Sequence, residues 1–251
     1  MHDLQEDFDR EGSPNHGGNQ QCIPGFGRQS VNARQKQSIE MIRNIVFDLG
    51  NVLLSWKPGE YLLQSGYGET TTKLILDTVF RSQVWLSLDN GDITKEEAVD
   101  IMASKSSLTR GQITSLFDLC HEIIFPLQEN LKLLPELKKQ GFKLYYLSNY
   151  PLWFFQETKN RFAFFDFFDG GIISAEVRFS KPDPEIFRIF VNRYSLIPEE
   201  CLYIDDIDVN VNSASLTGMK VIHLSETESL QNKLLESGIG LKIASSLGSS
   251  Q

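Results

Sequence analysis

Three cysteines in 251 residues are too few, and Cys22, Cys120 and Cys201 too far apart, to make a disulfide framework. None of them has the C-x-x-C spacing of a zinc site. The chain also lacks a cluster of basic residues. With 24 Lys and Arg against 33 Asp and Glu, and a formal charge of -9, it would repel a phosphate backbone, which excludes a nucleic-acid partner. No apolar run approaches the ~20 residues needed to cross a bilayer, and the acidic start from Met1 to Asp9 shows no basic-then-apolar leader pattern. The expectation is a soluble protein of the reducing cytoplasm with no membrane partner, monomeric or homodimeric.

The first 40 residues lack periodic apolar positions. They are rich in Gly, Gln, Asn and Ser, and such a stretch cannot bury enough apolar surface to offset its own ordering entropy. Residues 1–40 are therefore expected to be a disordered tail, as are residues 245–251. Met41 stands directly ahead of the first strong strand, which raises the hypothesis that translation naturally begins there. Overall length and a hydrophobic content of 41% suffice for one large α/β domain carrying a smaller inserted one.

What is present is a series of short, wholly apolar runs of the kind found in strands buried on both faces. The first is Ile45-Val46-Phe47, leading into Asp48. Leu144 to Leu147, Gly171 to Ile173, Leu202 to Ile204 and Val221 to His223 follow. Helical signals separate them. Leu127, Leu131, Leu134 and Leu137 keep helical spacing with Gly141 as the stop, and Asp183-Pro184 supplies an N-cap followed by Pro at the first helical position. Alternation of this kind predicts an α/β fold with a doubly wound, Rossmann-like parallel sheet, its core built from residues 41–56 and 128–244. Residues 57–127 break the alternation. They carry only helical signals, including the capping box Thr94-x-x-Glu97 after the Asn90-Gly91 turn, and read as an inserted helical cap above the strand ends.

In open parallel sheets the ligand crevice lies outside the carboxyl ends of the strands. The residues ending the apolar runs are Asp48, then Ser148-Asn149, then Asp205-Asp206. One Asp after a strand is usually a turn former or a cap. Two strands delivering carboxylates to one crevice edge, with a hydroxyl between them, crowd anionic oxygens that need a cation, and hard oxygen ligands select magnesium.

The segments Phe47-Asp48-Leu49-Gly50-Asn51-Val52-Leu53, Leu147-Ser148-Asn149, Ser180-Lys181-Pro182-Asp183-Pro184, and Ile204-Asp205-Asp206 through Asn210 to Gly218 resemble the four ordered motifs of the haloacid dehalogenase superfamily. The resemblance covers about Met41 to Leu241, and the helical insertion matches that family's cap. Within it, the Asp-Leu-Gly-Asn opening is most similar to the bacterial glucose-1-phosphate phosphatase branch and, less closely, to the phosphatase domains attached to epoxide hydrolases. The resemblance implies a magnesium-dependent phosphatase acting on a small phosphate ester such as a sugar phosphate. Asp48 would be the nucleophile and form an aspartyl-phosphate, with Ser148 and Lys181 countering charge on the phosphoryl oxygens. Asp206 would hold magnesium with Asp48 and the Gly50 carbonyl, and Asp205 would be a further ligand or an acceptor behind it. Asn51 and Asn149 are the implied substrate-binding side chains.

The pattern departs from the family in one consequential place. Most phosphatases of the superfamily carry a second Asp where Gly50 stands, and that Asp protonates the leaving group and later activates water. General acid-base assistance is worth ~10²- to 10⁴-fold, so its loss should slow the release of poor leaving groups. Asn210 also replaces an Asp, and Asp205 a Gly. Two rivals share the fold: a haloacid dehalogenase, in which Asp48 would attack carbon without a metal, and a magnesium-binding protein without catalysis. Tyr150, Trp153, Phe154 and Phe155 read as a helix packed onto the core or as an apolar wall for a leaving group, and Trp56 and Trp85 carry the same two readings.

Overall fold

The computed structural model describes residues 41–240. The tails expected at residues 1–40 and 245–251, and the last residues of the expected core, lie outside the described residues. Strand β1 (Asn44–Phe47) is buried along its whole length. Its side chains serve both faces of the sheet: Ile45 and Phe47 point into one apolar cluster and Val46 into the other, which is why the run shows no polar alternation.

From β1 the chain passes through the two-residue strand β2 (Leu54–Ser55) into six helices: α1 (Pro58–Gln64), α2 (Glu69–Ile75), α3 (Gln83–Asp89), α4 (Lys95–Ser104), α5 (Arg110–Asp118) and α6 (Cys120–Ile123). It returns through β3 (Phe125–Pro126), which pairs antiparallel with β2. This ribbon corrects the expectation of a purely helical insertion. Two-residue strands carry no periodicity, and a Pro within one argues against strand in any sequence reading. The Thr94 and Glu97 capping box forms as expected, and Thr109 with Gln112 makes a second. A π-helical turn over Leu76–Phe80 had no sequence signal.

The core resumes with α7 (Gln128–Leu131) and α8 (Leu133–Lys139), so the single helix expected from the leucine spacing is two short ones. Gly141, at φ +91°, supplies the stop. Then come β4 (Lys143–Ser148), α9 (Leu152–Arg161), β5 (Gly170–Ile173), α10 (Ser174–Val177) and α11 (Pro184–Tyr194). The last elements are β6 (Cys201–Asp205), α12 (Asp208–Leu216), β7 (Lys220–His223) and α13 (Leu230–Glu236).

The five long strands are parallel in the order β5-β4-β1-β6-β7. Strand β1 lies at the centre, and the winding reverses beside it: the chain runs outward through β4 and β5, then crosses back to β6 and β7. A crevice must open where neighbouring connections leave a sheet in opposite directions. That crevice stands at the carboxyl ends of β1, β4 and β6, where Asp48 follows β1 and Ser148 and Asp205 end the other two. Among the described residues, no helix is long and apolar enough to cross a membrane.

Candidate active site

Asp48 follows β1 directly, and its backbone is tied to β6 by the Asp48 N–H donating to the Ile204 carbonyl at 2.8 Å. Its Oδ1 accepts from the Leu49 N–H at 2.8 Å and contacts Lys181 Nζ at 2.9 Å. The same ammonium reaches Asp205 Oδ2 at 2.7 Å. Lys181 is thus a buried cation spanning two buried carboxylates. It is held there through its backbone: its N–H donates to Asn149 Oδ1 at 2.8 Å, and its carbonyl accepts from Asn149 Nδ2 at 2.9 Å. The Asn149 side chain therefore clamps the lysine loop to the end of β4.

Asp205 is fully buried. Its Oδ1 accepts from the Ile207 N–H at 2.8 Å and from Asn210 Nδ2 at 3.2 Å, and its Oδ2 accepts from Lys181, the Tyr203 hydroxyl and Asn210. Both oxygens are surrounded by donors. Asn210, where many superfamily members have Asp, is one of those donors. The neighbouring Asp206 takes a different environment, half-buried, with Oδ2 accepting from Asn51 Nδ2 at 3.0 Å. Asn51 sits in the left-handed region at φ +52° and accepts from the Trp56 N–H at 2.9 Å through Oδ1. Its amide orients Asp206, and both asparagines line the cavity while holding neighbouring parts of the site.

Asp48, Gly50, Asn51, Ser148, Asn149, Lys181 and Asp206 all line one cavity of about 250 Å³. Asp205 alone of the expected set stands behind it. Much of the rest of the lining is apolar: Trp56, Trp85, Leu86, Ile124, Tyr150 and Phe154. The two alternative readings of the aromatics are divided between residues. Tyr150 and Phe154 face the cavity, while Phe155 is buried against Tyr146 and Phe165, and Trp153 stacks on Phe117 with ring centroids 5.8 Å apart.

The charges do not balance. Carboxylate oxygens of Asp48, Asp205 and Asp206 lie within 4.8 Å of one another, and among the described residues the ammonium of Lys181 is the cation that meets them. Burial pushes the Asp48 carboxyl above the ordinary range, and the charges of Asp205 and Asp206 add to the effect while Lys181 opposes it. Burial raises Asp206 too, with the Asn51 hydrogen bond opposing and the Asp205 charge adding. For Asp205 burial works upward but loses to Lys181 and the surrounding donors, so its carboxyl is held low. Lys181, despite burial, is held charged by Asp48 and Asp205. Two carboxylates facing a cavity with their charge uncompensated are chemically suited to a divalent cation with hard oxygen ligands.

The sequence reading missed Asp89. It is the last residue of α3, buried, and part of the lining of the same cavity. An Asp directly before Asn90-Gly91 reads as a turn residue, and no spacing relates it to Asp48.

Residues 42–215 match the haloacid dehalogenase-like hydrolase family. The chain belongs to that family. It is an enzyme of the hydrolase class. Among curated relatives, the sesquiterpene phosphatase astK of Aspergillus oryzae is 28% identical over 183 residues, covering 72% of this chain and 89% of the relative. The drimenol cyclase drtB of Aspergillus calidoustus is 25% identical over 198 residues, or 77% of this chain, which spans only 36% of that longer protein. In fold, the chain is similar to a haloacid dehalogenase family enzyme of Bacteroides thetaiotaomicron, solved in complex with magnesium and inorganic phosphate. The TM-score is 0.60 at 24% identity, covering 76% of this chain and 98% of the other.

Proposed function

We propose that this hydrolase is a magnesium-dependent phosphomonoesterase that works through an aspartyl-phosphate on Asp48 and takes esters of apolar alcohols. The observation that carries the reading is the split character of one cavity: Asp48, Ser148, Lys181 and Asp206 line it together with a set that is mostly aromatic and aliphatic. Asp48, Asp206 and the Gly50 carbonyl would hold magnesium, which supplies a fixed positive charge for the phosphoryl oxygens. Ser148 and Lys181 donate to those oxygens where negative charge spreads in the transition state. Lys181 also favours the ionised, nucleophilic form of Asp48 against the upward push of burial. Asp205 positions that lysine from behind, and Asn51 positions Asp206.

The leaving group is the finer part of the reading. A sugar would need several convergent hydroxyl partners, and beyond the phosphate-binding end the lining is largely Trp56, Trp85, Leu86, Ile124 and Phe154, with Asp89 as a polar group among them. An alcohol with a hydrocarbon body fits such walls through burial alone, and the similarity to a sesquiterpene phosphatase supports the same class. The dehalogenase alternative fits poorly with three carboxylates around one ammonium, since attack on carbon has no use for the surplus negative charge.

The test is phosphate release from a panel of prenyl, alkyl and sugar phosphates, with magnesium and with chelator, alongside Asp48→Asn. The expected outcome is magnesium-dependent release, prenyl and alkyl esters ahead of sugar esters, and no release by the variant. Turnover by folded Asp48→Asn would refute the nucleophile, and faster hydrolysis of sugar phosphates would refute the apolar class.

A further inference from the structure

We infer that Asp89, delivered by the inserted helices, is the proton donor and acceptor that takes the place of the Asp missing at Gly50. The inference rests on the phosphatase reading and supplies the step that reading leaves without a residue. Asp89 lines the same cavity as Asp48, Lys181 and Asp206, near enough for the Asp48 charge to act on it. Among the described residues no hydrogen bond or ion pair engages its carboxyl. A buried carboxyl is normally partnered, so an unpartnered one turned to a cavity is available to a substrate atom.

The placement is fixed rather than left to a mobile lid. The Asp89 carbonyl accepts from the Ser174 hydroxyl, and the Ser180 hydroxyl donates to Asn90 Oδ1 at 3.2 Å. Gly91 lies so close to the core that a Cβ there would stand 2.5 Å from the Ala175 carbonyl oxygen. Three consecutive residues thus bind the end of α3 to the segment between β5 and Lys181. The acid and the phosphate-binding lysine share one support. Burial, with the Asp48 charge adding, pushes the Asp89 carboxyl up to about 8, so near neutral pH it carries the proton a donor must carry.

In the first half-reaction, an Asp48 oxygen bonds to phosphorus while the bond from phosphorus to the ester oxygen breaks. The Asp89 proton goes to that oxygen, and the product leaves as a neutral alcohol. In the second, the Asp89 carboxylate takes a proton from water as the water oxygen bonds to phosphorus. The acyl-phosphate bond breaks, freeing the Asp48 carboxylate and phosphate, and Asp89 is again protonated. The sum is ester plus water giving alcohol plus phosphate.

Leaving-group dependence tests this. An alkyl phosphate needs its leaving oxygen protonated, whereas p-nitrophenyl phosphate does not. Asp89→Asn is expected to lower the single-turnover rate of alkyl phosphate cleavage by ~10²- to 10⁴-fold and that of p-nitrophenyl phosphate by less than tenfold. With p-nitrophenyl phosphate the variant should also show a burst of nitrophenolate, because hydrolysis of the aspartyl-phosphate then lacks its base. At Gly50 a Cβ would meet nothing closer than Trp56 Cβ at 4.0 Å, so Gly50→Asp fits and, in the Asp89→Asn background, should return the alkyl rate at least tenfold. Equal loss on both esters, no loss, or a selective loss that Gly50→Asp leaves untouched would overturn the role of Asp89. A wild-type protein that cleaves neither ester would instead overturn the phosphatase reading, and this inference with it.

Discussion

The burial of Asp89 has a consequence for stability that can be measured without any substrate. In the unfolded chain its carboxyl titrates near the ordinary 3.8, and in the folded protein near 8. Between those values the native state binds one proton more than the unfolded state. Stability attached to this group is therefore fully present below about pH 4, falls as pH rises, and is lost above about 8. A slope of ~1.4 kcal/mol per pH unit across that window sums to at most about 6 kcal/mol, and local entry of water reduces it to roughly 2–4 kcal/mol. Asp89→Asn keeps the shape and removes the titration. The assay is urea unfolding of both proteins, with chelator, at intervals from pH 4.5 to 8.5. The variant should gain on the wild type steadily with pH. Asp48 and Asp206, also raised by burial, tilt both curves the same way, and the difference between them reads the titration of Asp89 together with its charge coupling to Asp48. A difference that stays flat across the range would refute the claim that Asp89 is held protonated by its surroundings.

Two further substitutions test the supports around the site. Gly91→Ala must overcome both the contact with the Ala175 carbonyl and a backbone at φ +72°, together worth ~2–3 kcal/mol; urea unfolding should show that loss, and alkyl phosphate turnover should fall as the end of α3 leaves its seat. Asp205→Ala leaves Lys181, the Tyr203 hydroxyl and Asn210 Nδ2 without their shared acceptor. Breaking one side of a buried ion pair costs ~3–5 kcal/mol, so its urea midpoint should drop further than that of Asp48→Asn, whose side chain stays in place.

The strands and the floor of the site were legible in the sequence for one physical reason. A strand buried on both faces must be apolar throughout, so the polar residue that ends it stands out, and Asp48, Ser148 and Asp205-Asp206 were found that way. Division of labour within the set was not legible. Asp205 and Asp206 are adjacent, and only side-chain geometry shows that one is ringed by donors behind Lys181 while the other faces the cavity. The same holds for Asn51 and Asn149, whose amides turn out to orient Asp206 and to clamp the lysine loop.

Asp89 escaped for a deeper reason. A general acid is defined by where its proton is relative to the leaving oxygen, and nothing requires it to share a strand or loop with the nucleophile. When the acid stands two residues after the nucleophile, the strand end carries both and a motif records the pair. Here the strand end carries Gly50, and the carboxyl arrives 41 residues after Asp48, on a helix whose position depends on Ser174, Ala175 and Ser180 in a third part of the chain. An absent motif residue is therefore weak evidence of absent chemistry in a fold whose cavity is closed by an insertion. The space above the nucleophile is shared, and the open position at Gly50, with room for a side chain it does not have, is where the two arrangements can be exchanged and compared in one protein.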